Sequence, residues 1–305
     1  MKTTRLHIGL LLAGLLGLAL GGCVVRIPDN TDPDLALTFD PVMYATVKSV
    51  ITGGEYPPDK DFRASVWSYD PSEGIRTATP CVTAARVSCI EDCWSPIPAA
   101  FWPDQSSRIV ALAASPYEAN ASIDLESGVV FTNIDTADQT DLLYTDPIAG
   151  LSRNTAGGIV DLPFRHALSL LDFEIRSNGS SDQDVSVLGV TIDRLYTRGN
   201  FASLPEATWT TAGKAQKISF FEGEQPLGYN NEPIGDSRWT IPQLLSAQIS
   251  ICIRYRDTLT HEEISSTLTT APFNLLLEPG RHYTLTLSCL TDAMTLKIDI
   301  LDDML

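Results

Sequence analysis

Residues 171–176 read Leu-Asp-Phe-Glu-Ile-Arg, with apolar side chains at 171, 173 and 175 and charged ones between them. A period of two sends alternate side chains to opposite faces. It therefore marks a strand with one dry face and one wet face, where a helix would repeat every three to four residues. The same pattern recurs on both sides of this stretch. Leu35, Leu37 and Phe39 alternate, as do Leu188, Val190 and Ile192, and then Ile249, Ile251 and Ile253. Phe273, Leu275 and Leu277 follow, then Tyr283, Leu285, Leu287 and Cys289, and finally Met294, Leu296, Ile298 and Ile300. Residues 108–114 (RIVALAA) are apolar on both parities, which predicts a central strand covered on both faces. Turn signals separate the runs, such as Thr52-Gly53-Gly54, Ser177-Asn178-Gly179-Ser180 and Glu278-Pro279-Gly280-Arg281. The expected fold class is all-β and mostly antiparallel, with two β-sandwich domains in tandem.

Charge and motif content narrow the function. The 305 residues carry 21 Lys and Arg against 38 Asp and Glu, a formal net charge of −17. A phosphate backbone needs a basic face, so nucleic acid is excluded as a partner. Apolar residues make up 44%, enough for a packed core and too many for a disordered chain. No G-x-S-x-G, H-E-x-x-H, P-loop or G-x-G-x-x-G motif occurs. The sequence therefore predicts no catalytic residues, no cofactor and no metal. His261-Glu262-Glu263 lacks the second His of a zinc protease and reads as a solvated hairpin tip. His166 reads as a packed or capping residue, and Asp182 with Asp184 as a solvated loop.

The N-terminus is an address. Lys2 and Arg5 precede an apolar run over residues 7–20, too short to span a bilayer core, which needs about 20 residues. The run ends in Leu20-Gly21-Gly22-Cys23, small residues before a cysteine, which looks like a bacterial lipobox. Cleavage between Gly22 and Cys23 and acylation of Cys23 would anchor the chain in a membrane leaflet. Residues 1–22 are thus read as a lipoprotein signal peptide and 23–34 as a lipid-anchored tether.

The rest divides at the polar, glycine-rich run 150–158 (GLSRNTAGG), giving an N-terminal domain over 35–157 and a C-terminal domain over 158–305. Five cysteines remain besides Cys23. Cys81, Cys89 and Cys93 fit no zinc spacing, and a loop disulfide is expected among them. By parity Cys252 faces outward and Cys289 inward. Two rival functions stay open from the residues alone. A surface glycan-binding protein could use Trp94 and Trp102 as stacking platforms, and a surface glycoside hydrolase could use a carboxylate pair.

Several stretches carry a family resemblance. Ile51-Thr-Gly-Gly-Glu-Tyr-Pro and Asp61–Trp67 resemble an early strand pair. Phe101-Trp102-Pro103 with the run to Pro116, and Asp141–Tyr144, resemble the next elements. Leu162–Leu171, Ile241-Pro242-Gln243 and Glu278–Leu285 complete the set in order. Together with the lipobox they resemble the fimbrillin-like proteins of Bacteroidia, lipoprotein subunits of donor-strand fimbriae. The resemblance implies transthyretin-like sandwich domains and a structural or adhesive role in a cell-surface fimbrium. Its implied partners are other fimbrial subunits, joined by β-strand addition, and a host or microbial surface ligand. Its polymerising members are cut after an Arg in the loop following the first strand, which frees a groove. Between positions 27 and 75 this chain offers only Arg63, at the start of an expected strand. That departure favours a tip or anchor subunit over a stalk subunit. The terminal run Met294, Leu296, Ile298 and Ile300 is either a donor strand or one that closes its own sheet. The short Leu290-Thr291-Asp292-Ala293 link before it suits a hairpin and the second role. Labelled palmitate should enter the wild-type protein and not Cys23→Ala, and equal incorporation would remove the lipobox assignment.

Overall fold

A computed structural model describes residues 35–44, 56–177, 183–289, 294–296 and 303–304. Their architecture is almost wholly β, built from mostly antiparallel sheets. The first sheet has eight strands in the order Phe62–Tyr69, Thr79–Ile90, Cys93–Ile97, Thr38–Met43, Ile159–His166, Leu143–Tyr144, Arg108–Ser115 and Ile148–Leu151. Phe62–Tyr69 also pairs along its length with Arg108–Ser115, which closes the sheet on itself. Residues 109–115 are all buried, as expected for a strand covered on both faces. The core inside this sheet gathers Phe39, Phe62, Val66, Val87, Leu162 and Phe164, with Tyr56 and Trp94 against them.

The second core lies between two further sheets. On one side, Ser169–Ser177 pairs in parallel with Arg281–Cys289. On the other side stand Gln216–Pro226, Gln183–Leu195, Ile249–Asp257 and Glu263–Thr269, in that order. The alternation that opens the sequence reading is seen directly: Leu171, Phe173 and Ile175 are buried and their neighbours are half-exposed. Phe173 meets Phe220 of the facing sheet edge-on, with ring centroids 4.8 Å apart. This is sandwich packing, dry between the layers and polar outside.

A fourth sheet, of four strands, joins the two halves of the chain. Ala121–Asp124 and Gly128–Asp135 pair with Arg198–Ala202 and Thr208–Ala212. Phe131, Tyr144, Leu168, Phe201 and Ile241 form a core beneath it.

The run 150–158, read from sequence as the boundary between two domains, is a turn within the first sheet. Ile148–Leu151 leads into one helical turn, Arg153–Ala156, capped by Ser152 and Thr155, each accepting from the other's backbone. Gly157 and Gly158 follow with φ of 62° and 92°, a left-handed path that a side chain would resist. The chain thus reverses, and Ile159–His166 runs back in parallel beside Thr38–Met43. A cut at 157/158 therefore lies between two strands of one sheet. A protease site inserted at 156–157 should yield a nicked chain that elutes as one species and parts only in denaturant. Two separately eluting folded pieces would show that the paired strands do not hold the halves together.

Candidate assembly interface

The N-terminal strand sits in a slot. Thr38–Met43 runs parallel to Ile159–His166 over six residue pairs, from Thr38↔Ile159 to Met43↔Phe164. Among the described residues its other edge is tied only near its start, through Phe39↔Trp94, the Ala36↔Phe101 bridge, the Leu37 N–H to the Ala100 carbonyl at 2.9 Å and the Trp102 N–H to the Leu35 carbonyl at 2.9 Å. Leu37, Phe39 and Pro41 point into the core. Burying such side chains stabilises by roughly 1.5–3 kcal/mol each for the larger ones. The strand is therefore firmly held on one edge and loosely held on the other.

Around the slot lies an aromatic cluster. Phe62 touches Phe39, Tyr56, Trp94 and Phe164 with centroids 5.3–6.2 Å apart, mostly edge-on. Tyr56 is buried among these rings and its hydroxyl pairs with Ser115 Oγ at 2.6 Å. Desolvation pushes its phenol up to about 12, against an ordinary 10.0.

Arg63 lies next to Phe62 and is bound tightly. Its strand is paired on both sides, with Arg63 opposite Arg86 and Ala114. The guanidinium donates to the carbonyls of Ala121 at 2.8 Å and Tyr117 at 2.9 Å, and lies 5.0 Å from the Tyr117 ring centre. A protease must draw a peptide into an extended, accessible form, so a cut after Arg63 requires this sheet to open first.

The C-terminal strand pairs with its own sheet. Met294–Leu296 runs antiparallel to the 287–289 end of Arg281–Cys289, and Asp303–Met304 to its 281–282 end. Ile298 and Ile300 lie outside the described residues, as do Gly22 and Cys23.

Trp102 is 2% exposed and its indole N–H donates to the Gly158 carbonyl at 3.0 Å. Trp94 is half-buried against Tyr56 and Phe62. Neither offers a platform to a sugar, because both rings are needed by the core. Cys81, Cys89, Cys93, Cys252 and Cys289 are all free, which overturns the expected loop disulfide. The reason is register: Cys89 faces Trp94 and Cys93 faces Ile90, so consecutive cross-strand pairs hold the two thiols on opposite faces. Cys289 is buried, and burial pushes its thiol up to about 12. Asp184 is an exposed residue opposite Arg256, and Asp182 lies outside the described residues. Carboxyls shifted by the fold go down, opposite to a general acid. The Ala137 N–H and Arg198 hold Asp135 low, and the N–H groups of Thr260 and Leu259 hold Asp257 low.

Sequence reading missed the clamp at His166. Its Nδ1 meets Asp141 Oδ1 at 2.9 Å, and its ring stacks on Trp239 with centroids 5.2 Å apart. The Trp239 backbone in turn exchanges hydrogen bonds with the Gln139 amide at 2.8 and 3.1 Å. Asp141 and Gln139 belong to the first half and Trp239 to the second, so this clamp and the shared sheet lock the halves together.

The sequence matches the fimbrillin-like family over residues 63–301, and the chain belongs to that family. The fold is similar to a fimbrial protein from Bacteroides vulgatus, with a TM-score of 0.66 at 15% identity over 87% of this chain and 99% of that one. It is also similar to putative cell adhesion proteins from Bacteroides ovatus (TM-score 0.55, 15% identity) and Bacteroides uniformis (TM-score 0.51, 16% identity). Each covers 88% of this chain and 98% of its own. No curated sequence matches the chain. Membership makes the chain a fimbrial subunit at the cell surface, with a structural and adhesive role and not an enzymatic one.

The Tyr56 environment gives a pH test. The unfolded chain releases this proton near pH 10 and the folded chain only near 12, so stability falls as pH rises between those values. Tyr56→Phe should lose about 0.5–1.5 kcal/mol at neutral pH, from the missing Ser115 hydrogen bond, and show a shallower alkaline decline. Urea midpoints with equal alkaline slopes in both proteins would refute the assignment.

Proposed function

We propose that this subunit occupies the tip or the base of a fimbrium and not its stalk, and that it is held in the outer membrane through a lipid on Cys23 at least during export. The observation that carries the reading is the C-terminal strand, paired at both described ends with Arg281–Cys289. A stalk donor has to leave its own sheet for a neighbour's groove. Arg63 supports the same reading, since its bonds oppose the cut that would free the first strand. Contact with other subunits would then use β-strand addition at the slot now filled by Thr38–Met43, and a tip position would bring a host or microbial surface ligand within reach.

Antibody-gold labelling of surface filaments should mark ends and not lengths. Deleting residues 294–305 should cost the isolated chain on the order of 3–6 kcal/mol, because the buried strand Arg281–Cys289 loses the cross-strand pairs on that edge. Gold along the filament, or a truncated chain that melts like the full one yet no longer joins its partners, would assign it to the stalk.

A further inference from the structure

The strand Glu263–Thr269 ends its four-stranded sheet and, among the described residues, has no partner on its outer side. Free edges are normally protected by bulges, charges, proline or shortness. The opposite edge of the same sheet, Gln216–Pro226, has all but the last: three register shifts, Lys217, Glu222, Glu224 and a terminal proline. Glu263–Thr269 has none beyond Glu263 at its end. It is seven residues long, its register with Ile249–Asp257 is unbroken, and its remaining residues are Ile-Ser-Ser-Thr-Leu-Thr.

Its hydrogen-bonding phase is fixed by the flanking bonds. The Thr270 N–H donates to the Ile249 carbonyl at 2.9 Å and the Asp257 N–H to the Glu262 carbonyl at 3.0 Å. Antiparallel pairs alternate between bonded and non-bonded. Residues 264, 266 and 268 therefore bond inward, and the N–H and C=O groups of 263, 265, 267 and 269 point to the open side.

We propose that this edge pairs antiparallel with the same edge of a second copy of the chain, about a two-fold axis through Ser266. In that register Ser265 faces Thr267 and Glu263 faces Thr269 of the other copy. All four positions present free main-chain groups, so up to about eight hydrogen bonds form. Ile264, 58% exposed in the single chain, faces Leu268 of the other copy, and the reverse contact repeats it. No like charges meet. Moving the axis to Ser265 or Thr267 sets Ile264 against Ser266 or Thr270 and loses both apolar contacts. This self-match is why the occupant is a second copy and not an arbitrary strand. The result joins two four-stranded sheets into one. The interface is small, so the dimer is weak, and because each copy is strongly acidic, with 38 Asp and Glu against 21 Lys and Arg even before Lys2 and Arg5 are removed, it tightens as salt screens the repulsion. The inference does not depend on where in a fimbrium the subunit sits.

The test uses the mature chain with Cys23→Ser in sedimentation velocity, at concentrations up to about 100 µM and at two salt levels. Serine 265 and threonine 267 are exposed, so charges there spare the fold. The parent should dimerise, and more so at high salt. S265K/T267K and S265E/T267E should each be monomeric alone, because like charges meet across the axis. An equimolar mixture should recover the dimer. A parent that stays monomeric at high salt, or charge variants that dimerise as the parent does, would overturn the proposal.

Discussion

The parallel pairing of Thr38–Met43 with Ile159–His166 is the constraint on which the first half of the molecule depends. Parallel neighbours cannot be joined by a tight turn, so the chain between them must travel away and return. Here the intervening residues build most of the closed sheet, and Gly157 and Gly158 turn them back at its end. The pairing also sets one wall of the aromatic core, because Phe39 and Phe164 reach Phe62 from adjacent strands. Contacts between residues some 120 positions apart are costly in loop entropy, and they fix topology once made.

The second half inherits its position from the first. Ile159–His166 continues through Ala167 and Leu168 directly into Ser169–Ser177, so a strand of one sheet becomes a strand of the next with no linker. Ala167 and Leu168, both fully buried, lie in the core under the shared sheet. His166 stands at this joint, bonded to Asp141 and stacked on Trp239. A histidine here is a strut. Its ring bridges a carboxylate from one half to an indole from the other, and an apolar side chain could provide only the second contact.

Strand identity was legible in the sequence wherever alternation was clean. Leu171, Phe173 and Ile175 are inward as read, Arg108–Ser115 is central, and Cys252 and Cys289 face as parity requires. Parity failed where the backbone slips. Leu188, Val190 and Ile192 read as one face, yet a bulge between Val187 and Gly189 turns Leu188 aside and buries Val187 with Val190. Strand partnership was less legible. A glycine-rich polar run looks the same whether it links domains or reverses a strand, and only the capped turn at Ser152 distinguishes the two. Trp94 and Trp102 had no local sign of burial, because the rings that cover Trp94 come from Tyr56 and Phe62 and the carbonyl that holds the Trp102 indole comes from Gly158, 56 residues on. Arg63 showed only its charge, and the carbonyls that hold it lie more than fifty residues away.

Thr38–Met43 and the strand that covers Arg281–Cys289 are held in different ways, and the difference sets what each would lose on leaving its sheet. Among the described residues, Thr38–Met43 is bonded in full on one edge and only at its start on the other. A strand held so unevenly would give up far fewer main-chain bonds on one edge than on the other if it left its sheet. Arg281–Cys289 presents a different problem. Residues 283–289 are buried on both parities, and Ser169–Ser177 already occupies one edge. Stripping Met294–Leu296 from the other edge would expose the backbone of a strand with no wet face, at the cost of each unsatisfied N–H and C=O. Among the described residues, Met294–Leu296 and Asp303–Met304 are what cover that edge, so it is there that their removal would cost most.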